Sequence, residues 1–164
     1  MLPEEQFWSI LEQASDGATT SADPETLAEL LTPLSTEDVT AFGNLFYQKL
    51  CDLNSHRLWG AGFVITGGMG DDSFHYFRSW IIGKGRKVFE LALSNPDELG
   101  PYVDDPDVDN ELLEYVATEI CESRGLDYDP RENSTRYAEA EPTGDFFPEE
   151  SMPALYPKLS ARFS

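Results

Sequence analysis

The polar side chains best spaced for chemistry lie between residues 71 and 78. On a helix, Asp71 at i−4 and Asp72 at i−3 would both stand beside the imidazole of His75. Carboxylates in those positions can orient the ring, which is half of a general-base site. Tyr76 and Arg78 follow within the next three positions. The sequence therefore predicts a candidate binding patch composed of Asp71, Asp72, His75, Tyr76 and Arg78.

The other half of a catalytic site is missing from the sequence. His56 and His75 are the only histidines. No serine or cysteine lies in a recognisable nucleophile motif, and neither HExxH nor a His-Asp metal dyad occurs. An acidic residue ahead of a histidine is also explained by helix-end electrostatics alone. We therefore predict no catalytic residues, and an enzyme or small-ligand binder using this patch stays the alternative interpretation.

Two glycine patterns resemble cofactor motifs but lack the features that define them. The run at 60–65 has Ile65 where a dinucleotide fingerprint requires its third glycine, and no βαβ pattern surrounds it. The loop at 67–70 leads into a helix N-terminus that could hold a phosphate, but Asp71 and Asp72 would repel the anion. The sequence predicts no cofactor.

One acidic pattern resembles a calcium loop. Asp105, Asp107, Asp109 and Glu111 alternate like its first ligands, but Asn110 and Val116 occupy the positions of the required glycine and bidentate glutamate. No metal site is predicted. A weak cation site stays open beside the simpler interpretation, a solvated loop that caps the next helix through Asp109 or Asn110.

Charge is the strongest compositional feature of the chain. It carries 31 acidic and 11 basic side chains, a formal net charge of −20. Nucleic-acid phosphates would be repelled within a Debye length of about 8 Å, so we expect no direct nucleic-acid binding. The same charge would speed the encounter with a basic protein partner. Adaptation of the host to high salt is an alternative explanation of the excess of acidic residues.

The acidic residues concentrate between Asp97 and Glu122, where ten occur and no basic one. Two interpretations compete: a face for a basic partner, or a solvated surface bonded to the basic cluster of residues 78–87. The predicted acidic partner face comprises Asp104, Asp105, Asp107, Asp109, Glu111 and Glu114.

Helical periodicity dominates the first 125 residues. Apolar side chains recur every three or four positions in three predicted helices: the first at 3–14, the second opening at 23–25 and stopped by Pro33, and the third at 35–53. We expect the first helix to end at 15–17. Asp23 and Ser35 are suitable N-caps for the second and third. Residues 58–66 are ambiguous, since glycines disfavour a helix there, but we favour one.

Further helices are expected after a cap at Asp71 or Asp72 and over 86–94, followed by a loop through Asp109 and a helix ended by Gly125. The pattern predicts an all-α, single-domain helical array over 1–125. Residues 126–164 are predicted to be irregular and acidic, with a short C-terminal helix that packs back on the domain.

The remaining features predict a soluble cytoplasmic protein with no membrane contact. No basic leader precedes an apolar stretch, and no apolar run reaches the roughly 18 residues needed to span a bilayer. Cys51 and Cys121 are not spaced as a disulfide framework or zinc site, so we expect both to be reduced core thiols.

Phe7-Trp8 near the start and the run from Leu58 to Leu99 form a pattern that resembles a bacterial family catalogued as domain of unknown function 4240. The matching positions are Leu58, Trp59, Gly67, Gly68, Asp71, Asp72, Phe74, Tyr76, Phe77, Arg78, Trp80, Ile82, Gly85, Phe89 and Glu90. Gly62 and Met69 depart from the pattern. The resemblance implies no established activity, but it directs attention to the polar members of the motif: Asp71, Asp72, Tyr76 and Arg78.

From these features we favour a non-enzymatic interaction or regulatory protein, of the inhibitor or immunity type, that meets a basic protein partner. The enzyme or small-ligand binder is the first alternative. A DNA-mimic inhibitor, whose carboxylates would be spaced like phosphates, is the second.

Overall fold

A computed structural model of the chain describes residues 2–15 and 20–163. Over these residues the fold consists of α-helices and 3-10 helices (η) without a β-strand, which confirms the predicted all-α class. The helices are α1 (Glu4–Ala14), α2 (Pro24–Leu31), α3 (Thr36–Asp52), α4 (His56–Thr66), α5 (Asp71–Gly83), α6 (Arg86–Ser94), η1 (Pro96–Tyr102), η2 (Glu111–Tyr115), α7 (Val116–Ser123), η3 (Pro130–Asn133), η4 (Glu149–Ser151), α8 (Met152–Leu155) and α9 (Pro157–Phe163).

The longest helix, α3, lies at the centre and packs against α1, α5 and α7. Its apolar stripe of Val39, Phe42, Phe46 and Leu50 is fully buried, as the periodicity predicts. On α5 the side chains of Phe74, Phe77 and Ile81 are buried as well.

Short polar side chains begin several helices where the sequence predicts. The backbone N–H of Thr26 donates to Asp23 (3.1 Å), and that of Asp38 donates to Ser35 (3.2 Å). The predicted end of the first helix is only partly visible, because Ser15 is its C-cap and residues 16 and 17 lie outside the described residues.

Two local predictions were wrong. The N-cap of α5 is Gly70, and Asp71 and Asp72 occupy its first turn without a side-chain capping bond. In that position they still interact favourably with the positive end of the helix dipole. The expected loop between 95 and 109 contains η1, whose first residues Pro96 and Asp97 suit a helix start.

The ambiguous stretch forms helix α4, and two of its glycines lie where close packing leaves no room for a Cβ. A Cβ on Gly60 would lie 2.5 Å from the Tyr156 hydroxyl oxygen, and one on Gly62 would lie 2.5 Å from the Met69 sulfur. Gly67, with φ of 79°, ends the helix in the left-handed conformation. The cost of glycine in a helix is therefore offset by contacts that a larger residue would block.

The C-terminal part of the chain follows α7 back across the helices. The carboxylate of Asp97 accepts the backbone N–H groups of Lys158 (3.2 Å) and Leu159 (2.9 Å), which attaches α9 to η1. Cys51 and Cys121 are free thiols. Across the described ranges, no helix combines the length and apolarity that crossing a membrane requires.

Candidate functional site

All five residues of the predicted binding patch line one cleft of about 1150 Å³. Helices α4 and α5 form its base, and residues 127–149, which we call the C-terminal wall, form its far side. Asp71, His75 and Arg78 follow at intervals of four and three on α5, so they share one helix face that looks into the cleft.

Arg78 lies at the base of this cleft with only 2% of its surface exposed. Its Nη1 donates to the backbone oxygen of Leu50 (2.9 Å), and its guanidinium carbon lies 4.5 Å from the centre of the Phe74 ring. Nε is buried without a hydrogen-bond partner. No carboxylate of the described residues is within ion-pair distance, and burial lowers the pKa of Arg78 to about 10.

His75 stands between Arg78 and Glu114. Its Nε2 lies 2.6 Å from Oε2 of Glu114, and its Nδ1 lies 3.5 Å from Nη2 of Arg78. Because a guanidinium can only donate, Nδ1 acts as the acceptor and Nε2 carries the proton that is donated to Glu114. Glu114 therefore holds the ring through Nε2, and Nδ1 faces the guanidinium of Arg78 at the outer limit of hydrogen-bond distance.

Tyr76, on the same helix, is half-buried and also lines the cleft. Desolvation and then the nearby carboxylate of Glu111 raise the pKa of Tyr76. The phenol therefore stays protonated and can serve as a hydrogen-bond donor, but not as a base, near neutral pH.

Hydrogen bonds hold the C-terminal wall to α3 and to the linker between α3 and α4. The N–H of Ala138 donates to the Tyr47 hydroxyl (2.9 Å), and the Asn54 side chain donates to the oxygen of Ala140 (2.9 Å). The Tyr128 hydroxyl donates to the Asn44 side chain (2.7 Å). These anchors give an irregular segment a defined position over the cleft.

The lining of the cleft is acidic. Arg78 and Arg131 are its two arginines, and Arg131 already pairs with Asp129 (2.8 Å). The lining carboxylates are Asp71, Asp72, Glu114, Glu122, Asp127, Asp129, Glu139, Glu141 and Glu149. Glu114 contacts His75, Asp129 contacts Arg131 and Glu141 contacts His56, so six of the nine have no cationic partner among the described residues.

Aromatic rings supply the apolar part of the cleft. Trp59 stacks on Phe74 with ring centres 4.7 Å apart, and its indole N–H donates to the backbone oxygen of Met69 (2.8 Å). Phe146 on the C-terminal wall is 75% exposed and forms a T-shaped pair with the His56 ring, with ring centres 5.9 Å apart. A ligand in the cleft would therefore meet both π faces and carboxylates.

The predicted acidic partner face is divided between two surroundings. Asp104, Asp105 and Asp107 are exposed in the loop after η1, where Asp105 accepts the N–H of Asp107 (2.9 Å). Asp109 accepts the N–H of Glu111 (3.0 Å). Glu114 instead lines the cleft. Of the basic cluster, Lys84 approaches Asp104 at 3.9 Å.

Sequence reasoning missed the residues of the C-terminal wall, including Glu139 and Phe146. No periodicity marks them, and the contacts that place them join positions more than 80 residues apart. The density of acidic and aromatic residues between 139 and 149 was the available signal. Within residues 2–15 and 20–163, no cluster of three or more His, Cys, Asp or Glu side chains is arranged to hold a metal ion.

Fold and site together define an all-α domain with a polar helix face enclosed by an irregular C-terminal wall. The chain belongs to the family described as protein of unknown function (DUF4240), whose family model matches residues 2–123. No curated protein and no solved structure matches it. The match includes His75, Arg78 and Glu114 but ends before the C-terminal wall begins.

Proposed function

We propose that this protein is a non-enzymatic interaction module, of the regulatory or inhibitor type, that binds a basic segment of a partner protein in the cleft. The observation that carries the proposal is the set of six cleft carboxylates without a cationic partner, lying beside exposed aromatic rings. Lysine and arginine side chains match both features, because they pair with carboxylates and stack on aromatic faces.

The surroundings of His75 support binding over catalysis. A general base needs a nitrogen that can take a substrate proton, and here Nε2 is paired with Glu114 while Nδ1 faces the positive charge of Arg78. His56 is the other histidine that lines the cleft. Its Nε2 lies 3.4 Å from the carboxylate of Glu141.

The cleft suits a partner better than the exposed loop at 104–107 does. Interfaces gain most of their affinity from a desolvated, partly aromatic centre, and isolated surface charges contribute little. The unpaired cleft carboxylates are exposed, as are Asp104, Asp105 and Asp107 of the loop, but in the cleft they share a concave site with Trp59 and Phe146. Both surfaces would accelerate encounter with a basic chain, but the cleft is the one shaped to hold it.

A labelled hexa-arginine peptide tests this proposal by fluorescence anisotropy at about 50 and 200 mM salt. We compare two triple variants with equal charge changes: Asp127→Asn/Glu139→Gln/Glu149→Gln in the cleft, and Asp104→Asn/Asp105→Asn/Asp107→Asn in the loop. The cleft triple should weaken binding at least about tenfold and the loop triple less than about twofold.

Three results would count against the proposal. Equal losses in both triples would mean that the net charge alone attracts the peptide. A larger loss in the loop triple would move the interface to residues 104–107. No binding of the wild-type protein at the lower salt would remove the basic-partner hypothesis altogether.

A further inference from the structure

We propose that Arg78 binds the carboxylate of the ligand, so that the basic partner segment enters the cleft by its free C-terminus. The inference rests on the proposed function and names the end of the partner chain that the cleft recognises. It concerns a charged side chain at the base of the cleft, a group that the basic-partner proposal itself does not use.

The first step is the unusual state of Arg78. A guanidinium has five N–H donors, yet only Leu50 accepts a short hydrogen bond from it. Nη2 has the long contact to His75, and Nε has no partner. Buried cations in proteins are normally paired with carboxylates, because an isolated buried charge is costly. Arg78 is buried without a counter-ion, so it is suited to pair with a negatively charged group of a ligand.

The second step is the chemistry of that counter-ion. The guanidinium carbon lies 4.5 Å from the centre of the Phe74 ring, which offers no polar acceptor, so an anionic ligand would meet the edge of Arg78 that carries the N–H groups. A carboxylate matches this edge with two parallel hydrogen bonds. It also carries one negative charge, and Glu114 and Glu139 already act on Arg78 through space. A doubly charged phosphate would be repelled by the same carboxylates more strongly than a carboxylate would be.

The third step is how an anion can enter an acidic cleft. The six unpaired carboxylates would repel a free anion, so the carboxylate must arrive on a ligand that is itself cationic. Arg78 is 2% exposed, which restricts contact to a narrow group that reaches the base of the cleft. The terminus of a basic peptide meets both conditions, since its last carboxylate can reach Arg78 while its side chains stay near the acidic lining.

A pair of peptides separates this inference from simple charge attraction. Hexa-arginine with a free C-terminal carboxylate is compared with the same peptide as a C-terminal amide, by competition against the labelled peptide. The amide lacks the terminal negative charge and so has a net charge one unit more positive. An acidic cleft without an anion subsite would therefore bind the amide more tightly. With Arg78 as the anion subsite, the free carboxylate should bind at least about tenfold more tightly.

Two variants locate the preference on the protein. Arg78→Met should abolish it, whereas Arg131→Met, which removes the other cleft arginine, should retain it. Circular dichroism checks that each variant folds. If Arg78→Met does not fold, the comparison of the two peptides on the wild-type protein still decides the question. Equal binding of the two wild-type peptides, or tighter binding of the amide, would overturn the inference and leave the proposed function standing.

Free arginine tests whether a chain terminus is required. It carries the same carboxylate and guanidinium as the last residue of the peptide, but none of the preceding residues. We expect free arginine to compete at least about a hundredfold more weakly than the peptide, because it contacts fewer of the lining carboxylates. If free arginine competed at the same concentration as the peptide, the assignment to a chain terminus would be overturned.

Discussion

Nε2 of His75 lies 2.6 Å from Oε2 of Glu114, although the two residues are 39 positions apart in the chain. This contact joins the polar face of α5 to η2, the short helix that follows the acidic loop. Together with the contact between His75 and Arg78, it forms a row of three side chains along the base of the cleft. The patch and the acidic run, which are separate features in the sequence, therefore meet in the structure.

Replacing Glu114 by alanine should destabilise the protein by about 1–3 kcal/mol, because the partly buried Nε2–H of His75 loses its acceptor. Glu114→Gln should cost less, since the amide oxygen can still accept that hydrogen bond. Urea unfolding measures both changes. Glu119→Ala, at an exposed position on α7, is the control and should alter stability by less than about 0.5 kcal/mol. Equal effects of Glu114→Ala and Glu119→Ala would show that the contact contributes nothing.

Arg78→Met should raise the free energy of unfolding by about 1–2 kcal/mol while it removes the carboxylate preference of the cleft. The substitution loses the hydrogen bond to Leu50, but it also removes a buried cation that has no counter-ion. Functional groups that are costly to bury commonly trade stability for binding in this way. Urea unfolding of the wild type and of Arg78→Met at neutral pH measures the difference, and a clear loss of stability would contradict the prediction.

Much of the fold is predictable from the sequence, because local rules decide it. Val39, Phe42, Phe46 and Leu50 recur at helical spacing, and Ser35 caps α3 as its side chain suggests. The N-cap of α5 was missed because Asp71 and Asp72 are residue types that commonly cap helices. In the structure Gly70, the residue before them, is the N-cap.

The candidate site was predictable only in part, for a related reason. The side chains of α5 share a face through local geometry, so their convergence could be expected. The C-terminal wall is placed by contacts such as Ala138 to Tyr47, which join residues 91 positions apart and leave no periodic pattern. For the same reason, the sequence assigned Glu114 to an acidic surface and not to the cleft.

Stability should fall as the pH rises from about 10 to about 12. Burial raises the pKa of Tyr47 and of Tyr156 to about 12, whereas in the unfolded chain a tyrosine ionises near 10. Between these values the unfolded state binds fewer protons than the folded state, so unfolding becomes easier with increasing pH. Arg78 acts in the opposite direction, because its folded pKa is lowered to about 10. Burial raises the pKa of Tyr128 too. The three tyrosines together therefore lower the stability with rising pH by more than Arg78 raises it.

Tyr156→Phe tests the alkaline prediction. Near pH 7 the variant should be less stable by about 1 kcal/mol, since it loses the hydrogen bond from the hydroxyl to the Arg57 backbone oxygen. Above pH 10 the decline of its stability with pH should be shallower than that of the wild type. Urea unfolding at intervals between pH 9 and 12 provides the comparison, and Tyr137→Phe, at an exposed position, is the control. Parallel curves for wild type and Tyr156→Phe would refute the assignment to Tyr156.

Gly60→Ala should destabilise the protein by about 1–3 kcal/mol, although alanine favours a helix by about 1 kcal/mol over glycine. The new methyl group would lie 2.5 Å from the Tyr156 hydroxyl oxygen and 2.9 Å from the ring, and the hydrogen bond to Arg57 holds that ring in place. A double-mutant cycle with Tyr156→Leu isolates the clash, because the shorter side chain leaves room for the methyl group. On the Tyr156→Leu background, Gly60→Ala should become neutral or stabilising in urea unfolding. An unchanged cost on that background would mean that Gly60 is required by something other than Tyr156.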